Sequence, residues 1–153
     1  ERLHEFAPNA SEALQLAARC QHICRWEISR ESYAMNREGY LRWRQDLKIF
    51  HARKASSILQ DVGYNQDTIA KVRFLLEKKQ LKKNDETQTI EDVICLVFLE
   101  YYFEPFALKH PEDKTIEILK KTWRKMSVKG QEAALKLPLS KYASELIFKA
   151  LSQ

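Results

Sequence analysis

An all-α, single-domain helical bundle is the fold this sequence predicts, and three observations carry the prediction. Apolar residues recur at three- and four-residue spacing in one stretch after another, most of them opened by Asn, Ser, Thr or Pro. Three Gly and four Pro in 153 residues are too few for the turns of a β-sandwich or barrel. No stretch alternates apolar and polar residues as a half-buried strand does. A chain of this length is expected to form one domain, residues 1–153, and to bury roughly 70% of its unfolded surface without a covalent staple.

Residues 1–6 read as the end of a helix stopped by Pro8. The abrupt start, without Met, leads us to expect the ordered core of something longer. Asn9 or Ser11 caps a helix over 10–26, with Leu14, Ala17, Cys20 or Gln21, and Cys24 on one face. Residues 29–39, rich in Ser, Asn and Gly, form a loop long enough to cover a site. A long helix over 40–62 follows, closed by Gly63, with Tyr40, Trp43, Leu47, Phe50, Ala55, Ile58, Leu59 and Val62 as its apolar stripe. His51 stands four residues from both Leu47 and Ala55 and so faces inward with them.

Asn65 caps the next helix, whose stripe is Ile69, Val72, Leu75 and Leu76 and whose end is the lysine-rich run 77–83. Residues 84–88 read as a polar connector, after which Thr89 starts the next helix. Residues 90–103 are apolar nearly all round, which predicts the most buried helix, with Glu91 and Asp92 in its first turn and Pro105 as its stop. Pro111 opens a helix buried through Ile116, Leu119, Trp123 and Met126, and Ser127 and Ser140 open two shorter closing helices.

The net charge of +5 permits an anionic partner, a small molecule or an RNA, without demanding one. Cysteines stand at 20, 24 and 95. An odd count without regular spacing argues against a disulfide framework and for a reducing, intracellular and cytoplasmic setting. No secretory signal pattern opens the chain. The longest wholly apolar run, residues 93–99, is far too short to span a membrane. No glycine-rich phosphate loop, nucleophile elbow or Cys–His protease pattern is present.

The residues that carry chemistry gather in three places: the stretch AARCQHICRWEISR at 17–30, His51, and Glu91 with Asp92. Two imidazoles and a carboxylate leave open positions on a divalent metal such as zinc, manganese or iron. His22, His51 and Asp92 are therefore the expected metal ligands, with Glu91 as the alternative carboxylate. A metal-free cluster, in which Glu91 or Asp92 orients a histidine, is the other outcome. Arg19, Arg25, Arg30, Arg44 and Lys54 are the anion-binding candidates, because a guanidinium grips phosphate or carboxylate bidentately. Trp26 and Gln88 complete the expected ligand-binding set, and Glu27 or Glu91 is expected to move protons.

The stretches AARCQHICRWEISR, YLRWRQDLKIFHARKASSILQDVGY and ETQTIEDVICLVFLE resemble the uncharacterised family called domain of unknown function 4202, over roughly residues 12–123. That family is sometimes labelled as related to glutamyl-tRNA synthetase, although no nucleotide-binding synthetase signature stands here. Its members usually begin with a further helical segment, so the resemblance implies such a segment ahead of residue 1. A more distant similarity links LQLAARCQHI to the helix of HD-superfamily phosphohydrolases that carries a His-Asp pair. FHARKASSILQDVGY is similar to their following helix, which opens on a ligand histidine and closes on Leu-x-x-x-Gly. Gln21 and His22 stand where that superfamily has His-Asp, Lys78 and Lys79 where further histidines occur, and residues 97–99 where a late ligand aspartate occurs. The resemblance implies an HD-like bundle and a metal-dependent hydrolase of a phosphorylated small molecule or nucleotide. The altered ligand positions imply instead a non-catalytic binder of an anionic ligand or RNA, and a helical protein-interaction module is a third expectation.

Overall fold

The computed structural model describes residues 1–152, which are helical with no strand among them. In chain order the helices are Arg2–Phe6 (α1), Glu12–Arg19 (α2), Arg37–Asp61 (α3), Gln66–Leu76 (α4), Asp85–Val97 (α5), Phe103–Ala107 (α6), Glu112–Lys125 (α7), Val128–Ala134 (α8) and Lys141–Leu151 (α9). They fall into two compact units, one of residues Pro8–Thr87 and one of Glu1–Ala7 together with the residues from 88 onward. None of these helices is long and apolar enough to cross a membrane.

In the Pro8–Thr87 unit, the Ser11 hydroxyl accepts the Leu14 N–H at 3.1 Å and starts α2, as an N-cap serine does. The helix then ends at Arg19, not near residue 26 as its spacing predicts. Cys24 adopts a left-handed conformation (φ 51°), and short 3₁₀ turns follow at Arg25–Glu27 and Arg30–Ser32. The reason lies on α3. The carbonyls of Ile23 and Ile28 pair there with His51 Nδ1 at 2.9 Å and Trp43 Nε1 at 3.0 Å. Leaving a buried imidazole or indole N–H unpaired costs more than forgoing one helical turn.

Asn36 caps α3 by accepting the Gly39 N–H at 2.8 Å. Gly39 has no room for a side chain, since a Cβ there would lie 2.0 Å from the Ala34 carbonyl oxygen. Gly63, at φ +89°, supplies the left-handed residue after the helix end. The buried face rotates along α3, from Trp43, Leu47 and His51 to Ala52, Ala55 and Leu59. That rotation corrects the straight stripe: Ile58 and Val62 stay on the abandoned side and are exposed, and Tyr40, in the first turn, is exposed too. Helix α4, capped by Asn65, packs on α2 and α3 through its buried Ile69, Val72, Leu75 and Leu76.

The lysine run does not prolong α4. Lys78, Gln80 and Lys82 have positive φ and the segment is a chain of turns. Asn84 then accepts the Thr87 N–H at 3.0 Å and starts α5 at Asp85. Asp85 and Glu86 are thus the first-turn acids. Glu91 and Asp92 lie a turn further on and are 4% and 1% exposed, which corrects their expected place at the helix mouth.

In the second unit, α5 passes into a π-helical turn at Phe98–Tyr102 before α6. Pro105 does not end the helical path but sits inside α6. A π turn just ahead of a residue with no N–H to give relaxes the hydrogen-bond register where proline would otherwise break it. Residues 90–103 are buried or half-buried except Tyr101 and Tyr102. Leu96, Leu99, Phe103, Leu119, Met126, Leu146 and Ile147 form the core of this unit, where α7 packs on α9. Ser127 and Ser140 cap α8 and α9 as expected.

Candidate functional site

The shortened α2 places His22 in a turn, and α3 presents His51 from its buried face. The two rings meet edge to face with centroids 6.2 Å apart. Each ring is fixed by one hydrogen bond. Arg25 Nη1 lies 3.1 Å from His22 Nδ1. A guanidinium only donates, so Nδ1 accepts and the neutral His22 ring carries its proton on Nε2. His51 Nδ1 lies 2.9 Å from the Ile23 carbonyl oxygen, which only accepts, so His51 carries its proton on Nδ1 and a lone pair on Nε2.

Cations surround this pair. The Arg25 guanidinium stacks over Trp43, 4.8 Å from the ring centroid, a cation–π contact. Arg44 lies one turn before Leu47 on α3. Desolvation holds the His22 pKa below the ordinary histidine value, followed by the charges of Arg25, His51, Arg44 and Lys78. His51 is pushed down first by desolvation and then by Arg25 and Arg44, against the opposing pull of the Ile23 carbonyl. Arg25 itself is lowered by desolvation and by Arg44. Among the described residues neither Arg25 nor Arg44 has a carboxylate within salt-bridge distance. Both are half-buried. Two half-buried guanidinium groups without a counter-charge are costly in the free protein and ready for an anion.

The other predicted residues of this unit stand differently. Lys54 and Glu27 pair with each other at 2.9 Å, which lowers the Glu27 carboxyl and raises the Lys54 ammonium. Trp26 is 79% exposed. Arg19 is exposed at the C-terminus of α2, where the helix dipole favours a cation. Arg30 donates to the carbonyls of Tyr33, Ala34 and Asn36 and so holds the loop before α3 in place.

Glu91, Asp92 and Gln88 belong to the second unit. There Asp92 accepts from the Ser127 N–H at 2.8 Å, the Ser127 hydroxyl at 2.5 Å and Gln88 Nε2 at 2.9 Å. Ser127 in turn caps α8 through the Gly130 N–H. Asp92 thus anchors a helix start. Glu91 lies 3.9 Å from the Lys125 ammonium. Gln88 also donates to the Lys125 carbonyl.

The donor set bears on the metal that the HD resemblance implies. His51 Nε2 is available as a ligand, with Nδ1 tied to a carbonyl in the manner of metal-binding histidines. Nδ1 of His22 is taken by Arg25, and within neither unit do three His, Cys, Asp or Glu side chains stand together as a metal set among the described residues. The residues at hand suit an anion better than a cation.

Sequence reasoning finds His22, His51, Arg25 and Arg44. It misses the carbonyls of Ile23 and Ile28, the stacking of Arg25 on Trp43, and Lys78. Only the last two leave a signal: Trp43 lies eight residues before His51, two turns along the helix, and Lys78 heads a lysine run. No curated protein and no solved structure matches the chain. The family model described as Domain of unknown function (DUF4202) matches residues 1–147, and the chain belongs to that family.

Proposed function

We propose that the Pro8–Thr87 unit binds a small phosphate-bearing anion at His22, Arg25, Arg44 and His51. The observation that carries this reading is the pair of half-buried guanidinium groups, Arg25 and Arg44, close enough for one to depress the other and without a carboxylate between them. A phosphate dianion supplies the missing charge, and guanidinium forks match its oxygens bidentately. The compactness of the cluster, two turns of α3 facing one short connection, suits a small molecule better than an RNA strand, whose contacts track a longer groove.

Thermal unfolding with and without inorganic phosphate tests the reading. Phosphate raises the wild-type midpoint, as any ligand of the native state does, and does so far less for Arg44→Gln. Without ligand, Arg44→Gln is the more stable protein, because an uncompensated like charge has been removed. A wild-type midpoint indifferent to phosphate, with Arg44→Gln no more stable than wild type, overturns the proposal.

The second reading is the metal-dependent hydrolase. The tethering of His51 Nδ1 to the Ile23 carbonyl favours it, because that tether leaves Nε2 aimed as a ligand. Stoichiometric zinc, manganese or iron in protein purified without chelator, lost in His51→Asn, supports this alternative over the first.

A further inference from the structure

We propose that His51 Nε2 is a nucleophile that accepts a phosphoryl group from an acyl phosphate or phosphoanhydride bound at this cluster, which rests on the anion-binding reading above. Nucleophilic histidine needs an unprotonated nitrogen, aimed and open, beside groups that neutralise phosphoryl oxygens. The Ile23 carbonyl holds the proton on Nδ1 and leaves the lone pair on Nε2. Nε2 has no hydrogen-bond partner. The one side-chain polar atom that is both buried and unbonded among the described residues is Gln88 Oε1. His51 Nε2 is therefore not wholly shut off from solvent, although the residue as a whole is only 6% exposed. Arg25 reaches His22 Nδ1 at 3.1 Å, the His22 and His51 ring centroids lie 6.2 Å apart, and the charges of Arg25 and Arg44 are felt at His51, so these guanidinium groups are the ones that would hold the transferring oxygens.

The neighbouring groups also select the leaving group. The His22 ring is neutral, with Nδ1 accepting from Arg25, and Glu27 is held as a carboxylate by Lys54. Neither the neutral His22 ring nor the Glu27 carboxylate is a strong acid toward an alkoxide, so the leaving group expected is one that departs as a stable anion: the carboxylate of an acyl phosphate or the phosphate of an anhydride. The Nε2 lone pair forms the N–P bond, the P–O bond to the leaving group breaks, and its electron pair leaves with that oxygen. Nδ1 keeps its proton throughout. Water completes the cycle: its oxygen bonds to phosphorus, the P–N electron pair returns to Nε2, and orthophosphate is released.

The test is incubation of the full chain with labelled acetyl phosphate or pyrophosphate in the presence of EDTA, followed by peptide mapping. The proposal expects an acid-labile, base-stable phosphate on His51 and not on His4 or His110. His51→Asn keeps an N–H for the Ile23 carbonyl but lacks Nε2, and is expected to fold and to take no label. Arg44→Gln is expected to slow labelling by roughly 10²–10³-fold, as loss of one transition-state donor does. Label spread equally over the histidines, or none while phosphate still stabilises the wild type, overturns the nucleophile and leaves the binding reading standing. Absence of both label and phosphate stabilisation overturns the two together.

Discussion

His22 and His51 are held neutral by desolvation and by the cations around them, and this sets a pH dependence. A base whose folded pKa is depressed binds more protons when unfolded. Its contribution to stability is complete above the unfolded value, 6.5 for histidine, and is lost as pH falls below it toward the folded pKa. The thermal midpoint is therefore expected to drop between about pH 7 and pH 5, and less steeply in His22→Gln. A flat midpoint across that range, or one as steep in His22→Gln as in wild type, contradicts the electrostatic account. The inward aim of His51 is legible in the sequence because Leu47 and Ala55 bracket it at helical spacing. Its partner is not, because a backbone carbonyl leaves no trace in residue identity and any residue at position 23 would offer the same atom.

Helix starts decide the element scale. Asp92, Ser127 and Gly130 form one joint: Asp92 holds Ser127, Ser127 caps α8, and Gly130 leaves the space. A Cβ on Gly130 would lie 2.6 Å from Asp92 Cγ. Asp92→Ala is expected to cost at least about 1.5–3 kcal/mol by urea unfolding, the range for one hydrogen bond to a charged group. Gly130→Ala is expected to destabilise as well, by crowding the carboxylate. The folded Asp92→Ala protein is expected to keep wild-type phosphate affinity. A loss of affinity without loss of stability would instead give Asp92 the ligand role read from the sequence. The caps at Ser11, Asn65, Ser127 and Ser140 are legible, each being a small polar residue ahead of an apolar period. The start of α5 is not: Asn84 and Thr89 both qualify by residue type, and only the contact from Asn84 to the Thr87 N–H distinguishes them. Replacing Asn84 by Ala is expected to cost about 0.5–2 kcal/mol. No loss on urea unfolding would return the helix start to Thr89.

At the scale of the whole molecule, the all-α class is legible because a 3.6-residue period is a property of local sequence. The division into two compact units is not, because a short polar connector at residues 84–88 looks the same whether it joins helices within one unit or between two. The net charge of +5 says an anion is welcome but not where. Location comes from the turn at Cys24, which brings Arg25 back over Trp43 and His22 against His51. The account rests on that convergence, and histidine ¹H–¹⁵N NMR during a phosphate titration tests it most directly. Without phosphate the spectrum is expected to show His22 protonated at Nε2 and His51 at Nδ1. As phosphate is added, both sets of ring nitrogens are expected to move together and to stay still in Arg44→Gln. Ring signals of the opposite tautomers, or signals unmoved while phosphate binds elsewhere, would contradict the account.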